Sequence, residues 1–421
     1  MYHVTKLGNG LTVATAEMPH MASVSLGLWV ATGGRCEPAE LNGVCHFIEH
    51  MVFKGTRRRS AHQISQAVEG IGGYINAYTS EENTCFYSRA RHDHLDDLLD
   101  VIADMILNST FDRLDIDRER NVIKEEVAMY LDQPHVHVQE LLNATLWPDQ
   151  PLGRPLTGTL VSLDRLQRKQ LLRFMGEHYV APSTLMVAAG CVTHTRFLDT
   201  VARYASRFLP GERPRYFPSR NNQARPLVRV FTKDIEQTQL ALGVRTCSRH
   251  DDRRFALRLL NTILGENMSS RLFQVVREDR GLAYNISSSA SFFDDTGDLV
   301  IAAGLDTDNV PETLRLILRE LRAMTRSAPS PAELRLARDY VLGQFDLSLE
   351  GTESQMMWLG EHLLGHGKIV QPAKIKRRIA RITPSEIRHV ANDFFQRDRL
   401  NLALVTPLKR GDRLRAMLNR Y

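Results

Sequence analysis

Apolar and polar residues alternate with a period of two over residues 11–18, 24–31, 74–79, 84–90 and 184–191, the spacing of strands with one buried face. Helix starts punctuate the intervals. Ser60 with Gln63 forms a capping box, and Ser330-Pro331-Ala332-Glu333 and Thr383-Pro384-Ser385-Glu386 do the same with proline at the first helical position. Helices are predicted over 41–53 and 60–70, leading into Gly73-Tyr74-Ile75-Asn76, and over 253–265 and 270–279, leading into Gly281-Leu282-Ala283-Tyr284.

The order of elements therefore repeats. A helix beginning near Asp93 corresponds to one near Val310, a helix from Leu114 to one from Pro331, and a strand at Leu185 to one at Leu400, with offsets of 217, 217 and 215 residues. Between the halves, residues 210–226 hold Pro210, Gly211, Pro214, Pro218 and Pro226 among four arginines and lack an apolar period. The expected organisation is a domain over 1–210, a linker over 211–226 and a domain of the same fold over 227–421. Each is α+β, a mixed or antiparallel sheet with helices packed on one side.

Two domains also suit a length of 421 residues with 43% hydrophobic and 24% charged residues. A formal charge of +5 is too small to imply a polyanionic partner such as nucleic acid. The tight run Arg57-Arg58-Arg59 has no interleaved aromatics and reads as a solvated turn before a helix. Five scattered cysteines without C-x-x-C spacing fit free thiols in a reducing compartment. With no signal-peptide pattern and no apolar run long enough for a membrane span, a cytoplasmic protein is expected.

One segment carries candidate chemistry. In Gly43-Val44-Cys45-His46-Phe47-Ile48-Glu49-His50-Met51, a helix would place His46 and His50 one turn apart on one face, converging on one metal ion, with Glu49 beside them. This inverted His-x-x-Glu-His spacing belongs to zinc enzymes. Zinc wants a third protein ligand and an open fourth position for water, whose pKa then falls to about 7. The ligand is sought in Glu119-Arg120-Asn121-Val122-Ile123-Lys124-Glu125-Glu126. Glu119 and Glu126 are seven apart and share a helix face, whereas Glu125 points about 100° aside. Glu126 is assigned as ligand, and Glu119 as the carboxylate that orients a histidine or Glu126 itself.

Other histidines lack such company. His362 and His366 are also four apart, but Gly365 and Gly367 make a poor helix end there and no acidic helix follows. His135 and His137 are expected on the surface of an extended segment, and His92 and His94 in a turn before a helix.

At these residues the chain resembles the M16 metallopeptidases, the family of pitrilysin, insulin-degrading enzyme and the mitochondrial processing peptidase, and among them the half-length, two-domain subfamily M16B. The resemblance spans the chain. It covers Leu7-Gly8-Asn9-Gly10-Leu11, the run His46-Phe47-Ile48-Glu49-His50-Met51-Val52-Phe53-Lys54-Gly55-Thr56, and a distal glutamate, Glu126, 76 residues after His50. Cys45 departs from the small residue common there and reads as a packed thiol.

The resemblance implies further roles. Asn76-Ala77-Tyr78-Thr79 corresponds to an edge strand that binds extended peptide by backbone pairing. Met268-Ser269-Ser270-Arg271-Leu272-Phe273, with Arg277 and Tyr284, corresponds to a second-domain signature. There the tyrosine hydrogen-bonds the oxyanion and the arginine holds a substrate carbonyl.

The function expected is zinc-dependent endopeptidase activity on peptides or peptide precursors, with one Zn2+ per chain and Glu49 as the base that activates water. The resemblance further implies a dimer, of two copies or with a paralogue. The alternative is a non-catalytic or partner subunit of a processing complex.

Overall fold

Strand pairing gathers eleven strands into a six-stranded and a five-stranded sheet, and the computed structural model describes all 421 residues around them. The first sheet contains β1 (Tyr2–Lys6), β2 (Thr12–Glu17), β3 (Ser23–Val30), β4 (Tyr74–Thr79), β5 (Thr84–Arg91) and β6 (Thr184–Gly190), in the order β1-β2-β6-β3-β5-β4. The second contains β7 (Leu227–Thr232), β8 (Gln237–Thr246), β9 (Ala283–Phe292), β10 (Gly297–Asp306) and β11 (Asn401–Thr406), in the order β7-β11-β8-β10-β9. Both sheets are mixed. In each, the last strand of its half enters the middle with one parallel neighbour, β6 on β2 and β11 on β7, and every other pair is antiparallel.

Helices α1 (Val44–Val52), α2 (Ala61–Glu69), α3 (Leu95–Asn108) and α4 (Arg113–Asp132) follow in the first half. In α3, Leu95, Leu98, Leu99, Ile102, Met105 and Ile106 recur at helical spacing, and all are buried. They share one core with the inward residues Val24, Leu26 and Leu28 of β3 and with Phe47, Ile48 and Met51 of α1.

The compact units are not contiguous halves. One comprises Met1–Ala128, Arg154–Phe217 and Asp346–Ile369; the other comprises Met129–Gly153, Pro218–Phe345 and Val370–Tyr421. Residues 211–226 do lack helix and strand. However, helix α5 (Pro134–Leu146) belongs to the second unit, and the helix Thr352–His366 belongs to the first.

The reason lies in the central strands, which are apolar on both faces. Every residue of β6 and of β11 is buried, so a helical layer on one side leaves a second apolar face. In the first unit that face, with Trp29, Cys85, Leu185 and Val187, is covered by Met356, Leu359 and Leu363. The approach is close enough that a Cβ at Gly360 would lie 2.1 Å from a Trp29 ring carbon. In the second unit Leu142, Leu146 and Trp147 cover Ala241, Val300, Ala403 and Val405 in the same manner.

Two histidine expectations change accordingly. His135 and His137 lie on α5 rather than in an extended segment, because Pro134 occupies a first-turn position where a proline starts a helix. His137 is buried, with its ring 4.4 Å from that of Phe231. His362 and His366 lie on a helix that runs to His366 and ends on Gly367 with φ 65°. His92–His94 form a short 3-10 turn ahead of α3.

Candidate metal centre

The site is built on the exposed side of α1. Val44, Cys45, Phe47, Ile48, Met51 and Val52 are buried, which turns His46, Glu49 and His50 together away from the core. The start of the helix is fixed from outside. Glu37 is 1% exposed and accepts hydrogen bonds from the backbone N–H of Gly43 at 2.8 Å and of Cys45 at 2.9 Å, and from Asn42 Nδ2 at 3.1 Å. Two donors that a helix N-terminus leaves unpaired are thereby satisfied by a carboxylate. Gly43 has φ 91°, and a Cβ there would lie 2.8 Å from Gly158 Cα, so glycine is required twice over.

Helix α4 brings the carboxylates. His46 Nε2 and His50 Nε2 each lie 3.7 Å from Glu126 Oε2, and the imidazole centroids are 4.6 Å apart. One ligand atom from each of His46, His50 and Glu126 lies within 4.8 Å of the others. A tetrahedron with bonds of roughly 2.0–2.1 Å has edges of about 3.3 Å, so a small inward adjustment would fit zinc, and the two-imidazole, one-carboxylate set suits it.

Glu119 is 6% exposed and sits one layer further back: His50 Nδ1 is 3.1 Å from its Oε2, and Lys54 Nζ is 2.7 Å from its Oε1. Beside a carboxylate, Nδ1 carries the hydrogen and donates it, leaving the Nε2 lone pair for a metal. His46 Nδ1 is buried without a partner. Glu125 is exposed and outside the group.

Burial and then the neighbouring His50 push the His46 imidazole down to about 4, against the opposing pull of Glu126, so it is neutral at ordinary pH and able to ligate. Burial raises the Glu49 carboxyl, opposed by a hydrogen bond from Thr79 and by His50. Thr79 Oγ1 donates to Glu49 Oε2 at 2.5 Å. Burial above all, then Glu37, holds the Cys45 thiol well above its usual range, so it stays protonated and packed.

Thr79 closes β4, the outermost strand of its sheet, so the outer edge of Asn76, Ala77, Tyr78 and Thr79 faces no further strand. Tyr78 turns to the opposite face from Thr79, with its hydroxyl 3.9 Å from Met357 Sδ. Arg277 and Tyr284 belong to the second unit. The Arg277 guanidinium carbon lies 4.8 Å from the Phe273 ring centroid and 5.9 Å from that of Tyr284. Tyr284 is 73% exposed at an irregularity in the pairing of β9 with β10, where Gly304 faces Asn285 but Leu305 faces Ala283. A bulge of this kind re-aims a side chain.

The contributions of Glu37 and Lys54 were not read from sequence. The spacing from Glu37 to Gly43 and Cys45 spans a loop with no periodicity. Lys54 lies just beyond the end of α1 and gave no signal of its own.

Known proteins resemble this chain in sequence and in fold. Residues 12–160 match the family model described as Insulinase (Peptidase family M16), and residues 165–341 match the Peptidase M16 inactive domain. An uncharacterized zinc protease of Mycobacterium tuberculosis is 36% identical over 407 residues, 96% of this chain and 92% of its own length. An uncharacterized zinc protease of Bacillus subtilis is 33% identical over 404 residues, 95% and 97% of the two chains. Among solved structures, a protease from Helicobacter pylori superposes with a TM-score of 0.91 at 20% identity, covering 97% of this chain and 99% of that one. No helix is long and apolar enough to cross a membrane.

Proposed function

Because this chain belongs to peptidase family M16 and its relatives are named zinc proteases, we propose that it is a zinc-dependent endopeptidase in which Glu49 serves as general base. The observation that carries the reading is the meeting of His46, His50 and Glu126, with Glu49 on the same helix face. A zinc ion held by those three residues would polarise a peptide carbonyl and acidify a water molecule. Glu49 would take the proton from the attacking water and pass it to the leaving amine. Its hydrogen bond from Thr79 holds the carboxylate at the end of β4.

That strand is the proposed substrate platform. An extended peptide paired with the open edge at Asn76–Thr79 would run toward Glu49, bound mainly through its backbone and so with loose side-chain selectivity. Arg277 and Tyr284 are proposed to hold a substrate carbonyl and the developing oxyanion. The chain is proposed to act as a dimer, of two copies or with a paralogue, on peptides or peptide precursors. The alternative, a non-catalytic subunit, is disfavoured because the three ligands and the base are all present.

The test is digestion of a mixed peptide library by purified protein, with and without a chelator, alongside Glu49→Gln. Cleavage should vanish on chelation and return with zinc. Glu49→Gln should keep its zinc and lose about 10²–10⁴-fold in rate. Undiminished cleavage by a zinc-loaded Glu49→Gln protein would remove the glutamate from the mechanism.

A further inference from the structure

Charge is unevenly distributed along this chain. Residues 370–421 contain thirteen Lys and Arg against four Asp and Glu, an excess of nine, although the whole chain carries only +5. These residues lie in the second unit, together with the helix Val310–Arg326. Arg315, Arg319, Arg322 and Arg326 recur on that helix at spacings of four, three and four, which places them along one face.

The stripe borders a concavity. The four arginines and Arg420 line a cleft of about 630 Å3 floored by Leu318, Met417 and Tyr421, and no Asp or Glu lines it. Two of the five cations are neutralised on the rim: Arg315 pairs with Glu312 at 2.5 Å and Arg319 with Glu320 at 3.0 Å. The other three pair with no Asp or Glu side chain. Arg322 donates to the carbonyl of Arg420 at 3.1 Å and stacks 5.2 Å from the Tyr421 ring, while Arg326 and Arg420 are exposed and make no ion pair.

A solvated helix surface accounts for Arg315 and Arg319, whose acidic neighbours lie on the same helix. It does not account for an arginine from a second segment meeting that stripe across a cleft. Like charges brought together without a counter-charge are unfavourable, and a concave wall concentrates their field.

We infer that this cleft is a binding site for a compact polyanion of the oligophosphate class. Planar guanidinium forks match phosphate oxygens, and a short phosphate chain delivers several charges within the span of one cleft, which a chain of carboxylates spreads over a longer backbone. The same chemistry is presented by a free oligophosphate and by a polyphosphorylated lipid headgroup. The site is independent of the metal centre, and its test uses no peptidase activity.

The experiment is calorimetric titration of the full chain with sodium tripolyphosphate at about 50 mM salt, where screening is weak. One ligand should bind per chain. Arg322→Gln, Arg326→Gln and Arg420→Gln together should weaken binding by about tenfold or more. A control that removes the same charge elsewhere, Arg118→Gln, Arg173→Gln and Arg203→Gln, should leave the affinity within about twofold. If the triple variant fails to fold, Arg326→Gln alone carries the comparison, with an expected loss of about threefold.

Equal losses in the site and control variants would reduce the binding to diffuse attraction and overturn the assignment, as would unaltered binding by the site variant. Hexaglutamate binding as tightly as tripolyphosphate would overturn the phosphate class. Flotation with phosphatidylcholine vesicles containing a phosphatidylinositol bisphosphate separates the sources. Binding that tripolyphosphate displaces assigns a lipid headgroup, and no vesicle binding assigns a free oligophosphate.

Discussion

His50 and Glu119 lie 3.1 Å apart, Nδ1 to Oε2, and this contact decides which imidazole nitrogen faces Glu126. Lys54 holds the other oxygen of the same carboxylate at 2.7 Å, so Glu119 is anchored at both ends. Replacement by Gln keeps the shape but makes the histidine a weaker ligand. Glu119→Gln should lower zinc affinity about 10–100-fold, measured by competition with a chromophoric chelator. Wild-type affinity in that variant would show that the contact does not tune the metal site.

Glu125 and Glu126 are neighbours in sequence but not in role. Glu126 Oε2 faces both imidazoles, whereas Glu125 is exposed. Metal analysis of purified protein should find zinc lost from Glu126→Ala and retained near one ion per chain in Glu125→Ala. Equal zinc content in the two would mean that the third ligand has been misassigned.

Much of this was legible because it rests on short-range periodicity. The spacing of His46, Glu49 and His50, the seven-residue interval from Glu119 to Glu126 and the strand at 74–79 each follow from one helix or strand repeat. The order of strands within the sheets and the second apolar face of β3 and β6 were not legible. A run such as Ser25-Leu26-Gly27-Leu28-Trp29 has polar or small residues on alternate positions and reads as one-faced, yet the whole of it is buried. The helix at 352–366 was obscured by Gly360, Gly365 and the capping Gly367 among its histidines, although Gly360 is what allows its contact with Trp29. The arginines at 57–59 read as solvated. Arg57 and Arg58 are exposed, but Arg59 is partly buried and donates to Asp104 at 2.7 Å, and Arg58 donates to Asp100 at 2.9 Å, partners more than forty residues away that no local pattern reveals.

Glu37 has no role in the proposed proton transfer, yet it holds the N-terminus of α1. Glu37→Ala leaves the backbone N–H groups of Gly43 and Cys45 buried without acceptors, at about 1–3 kcal/mol each. Urea unfolding should therefore show a loss of about 3 kcal/mol, with Glu37→Gln losing less because one amide oxygen still accepts. A change below about 0.5 kcal/mol in Glu37→Ala would mean that water or another acceptor replaces the carboxylate.

The acid limit of stability should depend on Asp104, whose side chain is fully buried. Burial alone would raise this carboxyl, but hydrogen bonds from Asn108, Thr56 and Arg59 outweigh it and hold the group below its ordinary value. A carboxylate depressed in the folded state adds stability above its unfolded pKa of about 3.9, and that stability is lost as pH falls toward the folded value. Between about pH 5 and 3, the urea midpoint of the wild type should fall as protons bind preferentially to the unfolded chain. Asp104→Asn should be less stable by about 2 kcal/mol at neutral pH and should show a shallower decline over that window. Parallel pH profiles for the two proteins would place the acid sensitivity elsewhere, with the other carboxylate of the cluster, Asp100, as the next to replace.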